Sequence, residues 1–387
     1  MFQQTIPATY MRGGTSKGVF FRRDDLPADP AVRDRVLLRV IGSPDPYGKH
    51  TDGMGGATSS TSKVVLLRPS SRPDCDVDYL YGAVAIEDAV IDWSGNCGNL
   101  SAAVGPFAIH QGWVQAGQAG TTPVRIWQEN LGERIVAHVP VHGGRVIEDG
   151  DFELDGVTFP AAEIRLDFLN PGAGDGTRPG GLFPTGHLID TLNVPGMGPV
   201  RATLIDAGNA TVFVDAATLG CTGAELQAEF NGNADLLARC EAIRAAGSVR
   251  MGLAATTDIA TAQRPHTPKL AFVGQSLSYI ASSGRPIDRN NIDVNIRILS
   301  MGKLHHAMTG TGAVAIAVAG AIPGKLVSEY LHDATAVVRF GHPSGQLTVG
   351  AQATRVDGQW TVEVVSMSRS ARRLMQGEIF VPAGCLA

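Results

Sequence analysis

The chain has 387 residues, more than a typical single hydrophobic core organises, so its length predicts two domains. A hydrophobic content of 44% and a charged content of 18% are those of an ordinary globular protein and exclude a largely disordered chain. The formal net charge of -5, without any block of Lys or Arg, argues against a nucleic-acid partner.

Short strands dominate the predicted elements, and the 47 glycines are typical of many tight turns between them. In chain order we predict strands at 18–21, 63–67, 77–81, 124–127, 134–139, 203–206, 211–214, 269–273, 293–300, 336–340, 346–349 and 360–365. Helical patterns are fewer and lie at 30–41, 100–111, 224–231, 234–246 and 311–319. This mixture favours an α+β fold over a doubly wound parallel sheet.

The clearest predicted break is the Gly/Pro-rich segment 170–181, which cannot hold a regular element. We therefore predict an N-terminal domain at 1–182 and a C-terminal domain at 183–375, with 376–387 as a candidate completion of the first.

The chain carries a pattern that occurs twice. Gly95-Asn96-Cys97-Gly98-Asn99 runs into an apolar helix, and so does Met308-Thr309-Gly310-Thr311-Gly312. Upstream of each, a polar glycine turn runs into a β-type stretch, at 13–21 and at 207–214. The repeated order predicts a divergent internal duplication.

The two glycine turns are candidate anion sites, because a helix N-terminus presents free backbone N–H groups and a partial positive charge. Two similar halves suggest a cleft between them that holds a ligand with at least two carboxylates. The alternative is that the turns only join strands to buried helices, which requires no ligand.

Lys63 is the last polar position before the apolar strand Val64-Val65-Leu66-Leu67. A lysine that enters a buried strand is poorly hydrated, so we expect its pKa to fall towards the range of a general base. The alternative is a lysine at a strand end that extends its amine to solvent.

Cys97 is a candidate proton carrier or nucleophile because of its place at a helix start, although a buried, inert cysteine is common. Nucleophilic cysteines usually pair with a histidine, and none lies nearby in sequence. We expect His305 and His306 to be structural. Arg12, Lys17 and Lys269 are candidate partners for carboxylates.

The five cysteines form no C-x-x-C pair and no zinc-type spacing, so we expect neither a metal site nor a disulfide framework. The first residues lack a basic segment followed by an apolar core, and the longest apolar stretch, 313–322, is shorter than a membrane span. We expect a cytoplasmic protein with no membrane association and no cofactor.

Several motifs resemble the PrpF group of the diaminopimelate epimerase-like superfamily. They are Met11-Arg12-Gly13-Gly14-Thr15-Ser16-Lys17-Gly18-Val19-Phe20-Phe21, the segment 41–46, the segment from Gly53 to Lys63, and Gly95-Asn96-Cys97-Gly98-Asn99. The resemblance implies two pseudo-symmetric domains, each a mixed β-sheet wrapped around a central helix, with the active site in the cleft between them.

The resemblance also implies an activity. The group includes 2-methylaconitate cis-trans isomerases of the methylcitrate route of propionate catabolism, 4-oxalomesaconate tautomerases of aromatic catabolism and methylitaconate isomerases. Residues 44–49 and 92–96 are most similar to the methylaconitate branch. A non-catalytic protein that binds small polycarboxylates is the alternative from another class.

Epimerases of the superfamily use two opposed cysteines, but here Thr309 stands at the position of the second, and a hydroxyl is too weak an acid for that role. The resemblance instead places the essential base at Lys63, with Cys97 as the second catalytic residue. The expected mechanism is removal of an allylic proton from an unsaturated tricarboxylate by neutral Lys63, with Cys97 returning or relaying a proton.

We expect substrate contacts from the polar turns and from Lys269. These are Thr15, Ser16, Asn96, Gly98, Asn99, Asn209, Lys269, Met308, Thr309, Gly310 and Thr311. The expected partner is the small tricarboxylate itself, and a homo-oligomer is left open.

Overall fold

The computed structural model describes residues 3–172, 181–331 and 336–386. Its strands are β1 Gln3–Gly13, β2 Ser16–Arg22, β3 Lys63–Pro69, β4 Val77–Val84, β5 Ile91–Asp92, β6 Ala119–Gln128, β7 Glu133–His142, β8 Arg145–Val146, β9 Ile164–Leu169, β10 Asp190–Val194, β11 Gly198–Ala207, β12 Asn209–Asp215, β13 Lys269–Gln275, β14 Tyr279–Ile280, β15 Pro286–Ile287, β16 Val294–Ser300, β17 Lys303–Leu304, β18 Val337–His342, β19 Gly345–Val356, β20 Gln359–Arg369 and β21 Ala371–Pro382. Its α-helices are α1 Pro30–Ile41, α2 Ser101–His110, α3 Gln227–Asn231, α4 Ala234–Arg250, α5 Thr257–Gln263, α6 Gly310–Ala321 and α7 Leu326–Tyr330.

The chain divides into two compact units, of which unit 1 comprises Met1–Leu166 with Ser368–Ala387 and unit 2 comprises Asp167–Met367. The chain passes from unit 1 to unit 2 within β9 and returns within β20. The limits of these units differ from those of the predicted domains, 1–182 and 183–375. The domain boundaries therefore stay a prediction. Most of the predicted break at 170–181 lies outside the described residues, at 173–180.

The two units repeat one strand pattern. In unit 1, β2 runs parallel to β3, β3 antiparallel to β4, β4 parallel to β6, and β6 antiparallel to β7. In unit 2 the same sequence of pairings joins β12, β13, β16, β18 and β19. The helices α2 and α6 occupy matching places in this order. The fold is therefore α+β with an internal duplication, as the repeated turns predicted.

Helices α2 and α6 are buried on all sides, every residue of α2 from Ser101 to Ile109 and every residue of α6 from Gly310 to Gly320. A helix that is apolar all round belongs in the interior, against sheet residues on several sides. Glycine makes the close packing possible, since a Cβ on Gly105 would lie 2.6 Å from Val139 Cγ2 and one on Gly312 would lie 2.4 Å from Ile298 Cδ1. Each unit therefore holds its glycine-turn helix rigidly within a sheet.

The strand pair β1 and β21 was missed by the sequence prediction. β21 pairs antiparallel with β1 along nearly its whole length, with a register shift at Tyr10 and Met11. The run from Leu374 to Glu378 is exposed throughout, so this part of β21 lacks the alternation of buried and exposed residues that identifies a strand. Among the described residues, no helix has the length and apolar character needed to cross a membrane.

Candidate active site

Lys63 is the first residue of β3, and the apolar residues that follow it carry the strand into the core. Its side chain is 4% exposed. The amine donates a hydrogen bond of 2.7 Å to the hydroxyl of Tyr81 on the neighbouring strand β4, and the thiol of Cys97 is close enough to interact with it electrostatically. The strand therefore holds a buried amine between a phenol and a thiol.

Burial lowers the pKa of Lys63 because the ammonium form loses hydration, while the neighbouring Cys97 opposes the shift. The predicted fall of this pKa is confirmed. Burial also raises the pKa of Tyr79 and of Tyr81 well above the usual range, so both remain neutral phenols. A neutral amine is thus more available near neutral pH than on an exposed lysine.

Cys97 lies one helical turn ahead of α2. Its carbonyl oxygen accepts hydrogen bonds from the backbone N–H of Ser101 at 3.0 Å and from the Ser101 hydroxyl at 3.1 Å. Tyr79 donates to the same carbonyl at 3.4 Å. The helical hydrogen bonds therefore begin at the carbonyl of Cys97. Cys97 thus lies at the start of a helix, as the sequence predicted. The neighbouring Asn96 is fully buried.

Arg369, at the end of β20, belongs to this site and was missed by the sequence prediction. Its guanidinium donates from Nε to Asn99 Oδ1 at 3.0 Å and from Nη1 to the Ser368 carbonyl at 2.8 Å. Burial lowers its pKa to about 10, and the nearby Cys97 opposes this shift, so the group is cationic at neutral pH. Arg369 and Asn99 are 270 positions apart, and no local pattern connects them.

The turn between β1 and β2 packs against Asn99, whose side-chain amide donates to Thr15 Oγ1 at 3.0 Å. Gly14 has a φ of 50°, and a Cβ there would lie 2.5 Å from Asn99 Oδ1. The turn therefore requires glycine at this position. Ser16 follows Thr15 and is 3% exposed, and its hydroxyl makes no hydrogen bond within the described parts of the chain.

The other two predicted cations near this turn have other contacts. Arg12 Nη1 donates to the Gly14 carbonyl at 3.1 Å and to the Ser370 carbonyl at 3.0 Å, which ties the turn to the chain after β20. Lys17 places its amine 5.3 Å from the ring centroid of Tyr10.

Unit 2 has polar residues at the corresponding strand starts, but their neighbours are chemically different from those in unit 1. Lys269 is the first residue of β13, is buried, and donates to Ser300 Oγ at 3.3 Å. Asn209, the first residue of β12, donates to Thr311 Oγ1 at 3.1 Å. Lys269 therefore stands where Lys63 stands in unit 1, with a serine hydroxyl as its neighbour.

Thr309 is the N-cap of α6, and its hydroxyl accepts a hydrogen bond of 3.1 Å from the backbone N–H of Gly312. This contact satisfies one of the free donors of the first turn, as capping threonines do. Met308 before it is buried, and Gly310 after it is the first helical residue.

His305 and His306 stack with ring centroids 4.7 Å apart, and His305 Nδ1 accepts from the backbone N–H of Ala307 at 3.1 Å. Such local contacts fit the structural role expected of them. Within the described ranges, no cluster of three or more His, Cys, Asp or Glu residues is arranged to hold a metal ion.

The site residues predicted from sequence therefore lie in two groups. The structure brings together Lys63, Cys97, Asn99 and Thr15 in unit 1 and adds Tyr81 and Arg369 to them. In unit 2 it joins Asn209 to Thr311, Lys269 to Ser300 and Thr309 to Gly312.

The sequence and the fold match known proteins over almost the full chain. The family profile described as PrpF protein matches residues 3–382. Proteins named 2-methyl-aconitate isomerase from Cupriavidus necator and from Shewanella oneidensis are each 57% identical over 388 residues, which is 98% of this chain and 98% of theirs. A 4-oxalomesaconate tautomerase from Pseudomonas putida is 38% identical over 385 residues, covering 98% of this chain and 97% of its own. The crystal structure of a methylitaconate-delta-isomerase, 40% identical, superposes with a TM-score of 0.75 and covers 100% of this chain and 98% of its own.

Proposed function

Because this chain belongs to the PrpF family, we propose that it is an isomerase of unsaturated tricarboxylates and that it interconverts the cis and trans forms of 2-methylaconitate. The identity of 57% to 2-methyl-aconitate isomerases, against 38% to a 4-oxalomesaconate tautomerase, favours this substrate. The reaction would belong to the methylcitrate route of propionate breakdown and take place in the cytoplasm. The five cysteines of the chain are all free thiols, which is consistent with that compartment. The proposed chemistry is proton transfer by side chains alone.

The contact between Lys63 and Cys97 carries this proposal. Interconversion of cis and trans isomers requires the double bond to lose its double-bond character for long enough to rotate. Loss of a proton from the adjacent allylic carbon achieves this, because the electron pair spreads across the former double bond into a carboxylate. A neutral, buried amine such as Lys63 is suited to take that proton.

The proton balance closes within the pair. Lys63 gains the proton and becomes an ammonium, the former double bond rotates, and Cys97 delivers its own proton to carbon. The resulting thiolate then recovers a proton from the neighbouring Lys63 ammonium. Both residues return to their starting state without a net change, which is why their proximity supports an isomerase.

Charge that develops on the substrate needs donors that are already in place. The start of α2 supplies backbone N–H groups and the positive end of a helix dipole beside Cys97. The substrate contacts expected from the sequence stay part of the proposal, namely Thr15, Ser16, Asn96, Gly98 and Asn99 in unit 1 and Asn209, Lys269, Met308, Thr309, Gly310 and Thr311 in unit 2.

Proton NMR of the purified protein in deuterium oxide tests the proposal with each isomer of 2-methylaconitate. We expect the isomers to interconvert and to exchange allylic hydrogen for deuterium. If neither isomer changes, the same assay with 4-oxalomesaconate decides whether the chain is a tautomerase. Binding of both compounds without exchange would identify a non-catalytic polycarboxylate-binding protein and would contradict the proposal.

A further inference from the structure

Arg369 is a buried cation without a carboxylate partner. It is 1% exposed, and among the residues that the structure describes no Asp or Glu forms an ion pair with it. Its two hydrogen bonds, to Asn99 Oδ1 and to the Ser368 carbonyl, use only part of the five N–H donors of a guanidinium. An unpaired buried charge is costly, so such a group indicates an anion that joins it during function.

Two other buried arginines in the chain show what structural use looks like. Arg244 pairs with Glu241 at 2.7 Å, so its charge is neutralised within α4. Arg297 donates to three backbone carbonyls, those of Glu225, Ile296 and Gly341, and so ties separate segments of unit 2 together. Arg369 has no acidic partner among the described residues and donates to one backbone carbonyl, that of the adjacent Ser368, besides the side chain of Asn99.

The surroundings of Arg369 place it in the proton-transfer site of unit 1. Its acceptor Asn99 lies two residues after Cys97 and also donates to Thr15. Cys97 interacts electrostatically with both Arg369 and Lys63. The hydroxyl of Ser16, next to Thr15, is a second buried donor that makes no hydrogen bond within the described residues. The guanidinium of Arg369 and the hydroxyl of Ser16 therefore belong to the group of residues around the Cys97 thiol and the Lys63 amine.

We propose that Arg369 binds a carboxylate of the substrate beside the Lys63–Cys97 pair. This inference rests on the proposed function. A guanidinium can hold a carboxylate through two parallel N–H donors, which fixes both its position and its orientation. A carboxylate conjugated to the double bond gains charge when the allylic proton leaves, so Arg369 stabilises the intermediate more than the ground state. A lysine in its place would supply the charge without the planar pair of donors.

Calorimetric binding of tricarballylate, a saturated tricarboxylate that cannot isomerise, tests the inference without turnover. We expect Arg369→Gln to weaken binding on the order of 30-fold, the loss typical of a hydrogen-bonded charged contact. Arg369→Lys keeps the cation and covers the case in which Arg369→Gln does not fold, and it should weaken binding about fivefold. Arg297→Lys, a matched change at a structural arginine, should lower the melting temperature and leave the affinity unchanged.

Affinity of folded Arg369→Gln or Arg369→Lys within twofold of the wild type would overturn the inference. Steady-state kinetics with 2-methylaconitate provides a second measurement. In Arg369→Gln, KM should rise and kcat should fall. If the wild-type protein binds tricarballylate through Arg369 but does not isomerise 2-methylaconitate, the result contradicts the proposed function and supports the carboxylate site. Normal kcat and KM in Arg369→Gln would remove the carboxylate site and keep the proposed function.

Discussion

The two units place a lysine at the same point of the same strand pattern but surround it differently. Lys63 in unit 1 contacts a thiol and a phenol, whereas Lys269 in unit 2 contacts the hydroxyl of Ser300. At the matching helix starts, unit 1 has Cys97, and unit 2 has Thr309, whose hydroxyl caps its helix. In the proposed mechanism only unit 1 therefore carries an acid–base pair, although both units carry the glycine turn and the buried lysine.

The largest expected difference is between the two lysines. Lys63→Ala removes the proposed base, so kcat for 2-methylaconitate should fall about 1000-fold, within the range for loss of a general base. Lys269→Ala should act mainly on KM, because the proposal gives this residue substrate binding only. Steady-state kinetics of both variants makes the measurement.

Added methylamine provides the control for that pair. It should restore part of the activity of Lys63→Ala, since it supplies a small neutral amine to the space of the missing side chain, and it should have no effect on Lys269→Ala. Equal losses of kcat in Lys63→Ala and Lys269→Ala would contradict the proposal that only the lysine of unit 1 acts as the base.

The next effect concerns the two helix starts. Cys97→Ala should lower kcat about 10- to 100-fold, because Lys63 can still return the proton that it removed. Cys97→Ser should retain slightly more activity. Thr309→Ala removes a helix cap and should cost about 1 kcal/mol of unfolding free energy, with a rise in KM rather than a fall in kcat. Thermal melts and kinetics on one set of preparations separate these outcomes, and a greater kcat loss in Thr309→Ala would reverse the assignment.

A smaller effect is expected at the hydrogen-bond partners of the two lysines. Tyr81→Phe removes the oxygen that accepts from the Lys63 ammonium, so the charged form is less stable and the pKa of Lys63 falls further. Since the neutral amine is the active form, kcat/KM rises with pH through this pKa. The midpoint should move to lower pH by about 0.5 to 1 unit in Tyr81→Phe.

Ser300→Ala is the matched change in unit 2, and it should leave the midpoint of the pH profile where it is in the wild type. A midpoint that moves to higher pH in Tyr81→Phe would contradict the proposed contact.

A third buried lysine provides a comparison for Lys63 and Lys269. Lys325 in unit 2 is 0% exposed, lies 3.5 Å from the ring centroid of Phe183, and its amine has no hydrogen-bond partner among the described residues. Burial lowers its pKa from an ordinary value of 10.5 to about 7. Unlike Lys63, it has no titratable neighbour among the described residues that acts on its pKa.

The pH dependence of stability tests this third case. Between about pH 7 and pH 10.5 the unfolded state binds more protons at this lysine than the folded state does, so its destabilising effect is largest below pH 7 and fades as pH rises. Lys325→Met should raise the unfolding free energy by up to about 4 kcal/mol at pH 6 and by much less near pH 10, with kcat unchanged. Denaturant melts at both pH values measure this, and an equal change at both would refute the charge as its cause.

Much of this arrangement follows from local sequence. Helix α1 has the bounds predicted for it, because Asp29 caps its N-terminus and Gly42 follows it with a φ of 87°. Lys63 at the start of β3 was predicted from the change of a polar run into an apolar one. These features depend on neighbours in sequence, where spacing carries the information.

The remaining features depend on contacts between distant segments. Tyr81 lies within a predicted strand, but its contact with Lys63 follows from the antiparallel register that pairs Lys63 with Ala83, because residues two apart share a face of the sheet. Arg369 reaches Asn99 only because the chain returns to unit 1 at its C-terminal end. Neither register nor return can be determined from spacing within one stretch.

The role of Lys63 as the base is tested most directly by the rate at which solvent deuterium enters 2-methylaconitate with the wild type, Lys63→Ala and Lys269→Ala. The rates are followed by NMR at equal enzyme concentration. Exchange reports the breaking of the carbon–hydrogen bond even where isomerisation stops. We expect exchange with the wild type and with Lys269→Ala at saturating substrate, and none above background with folded Lys63→Ala. Exchange at the wild-type rate in Lys63→Ala would show that another group removes the proton.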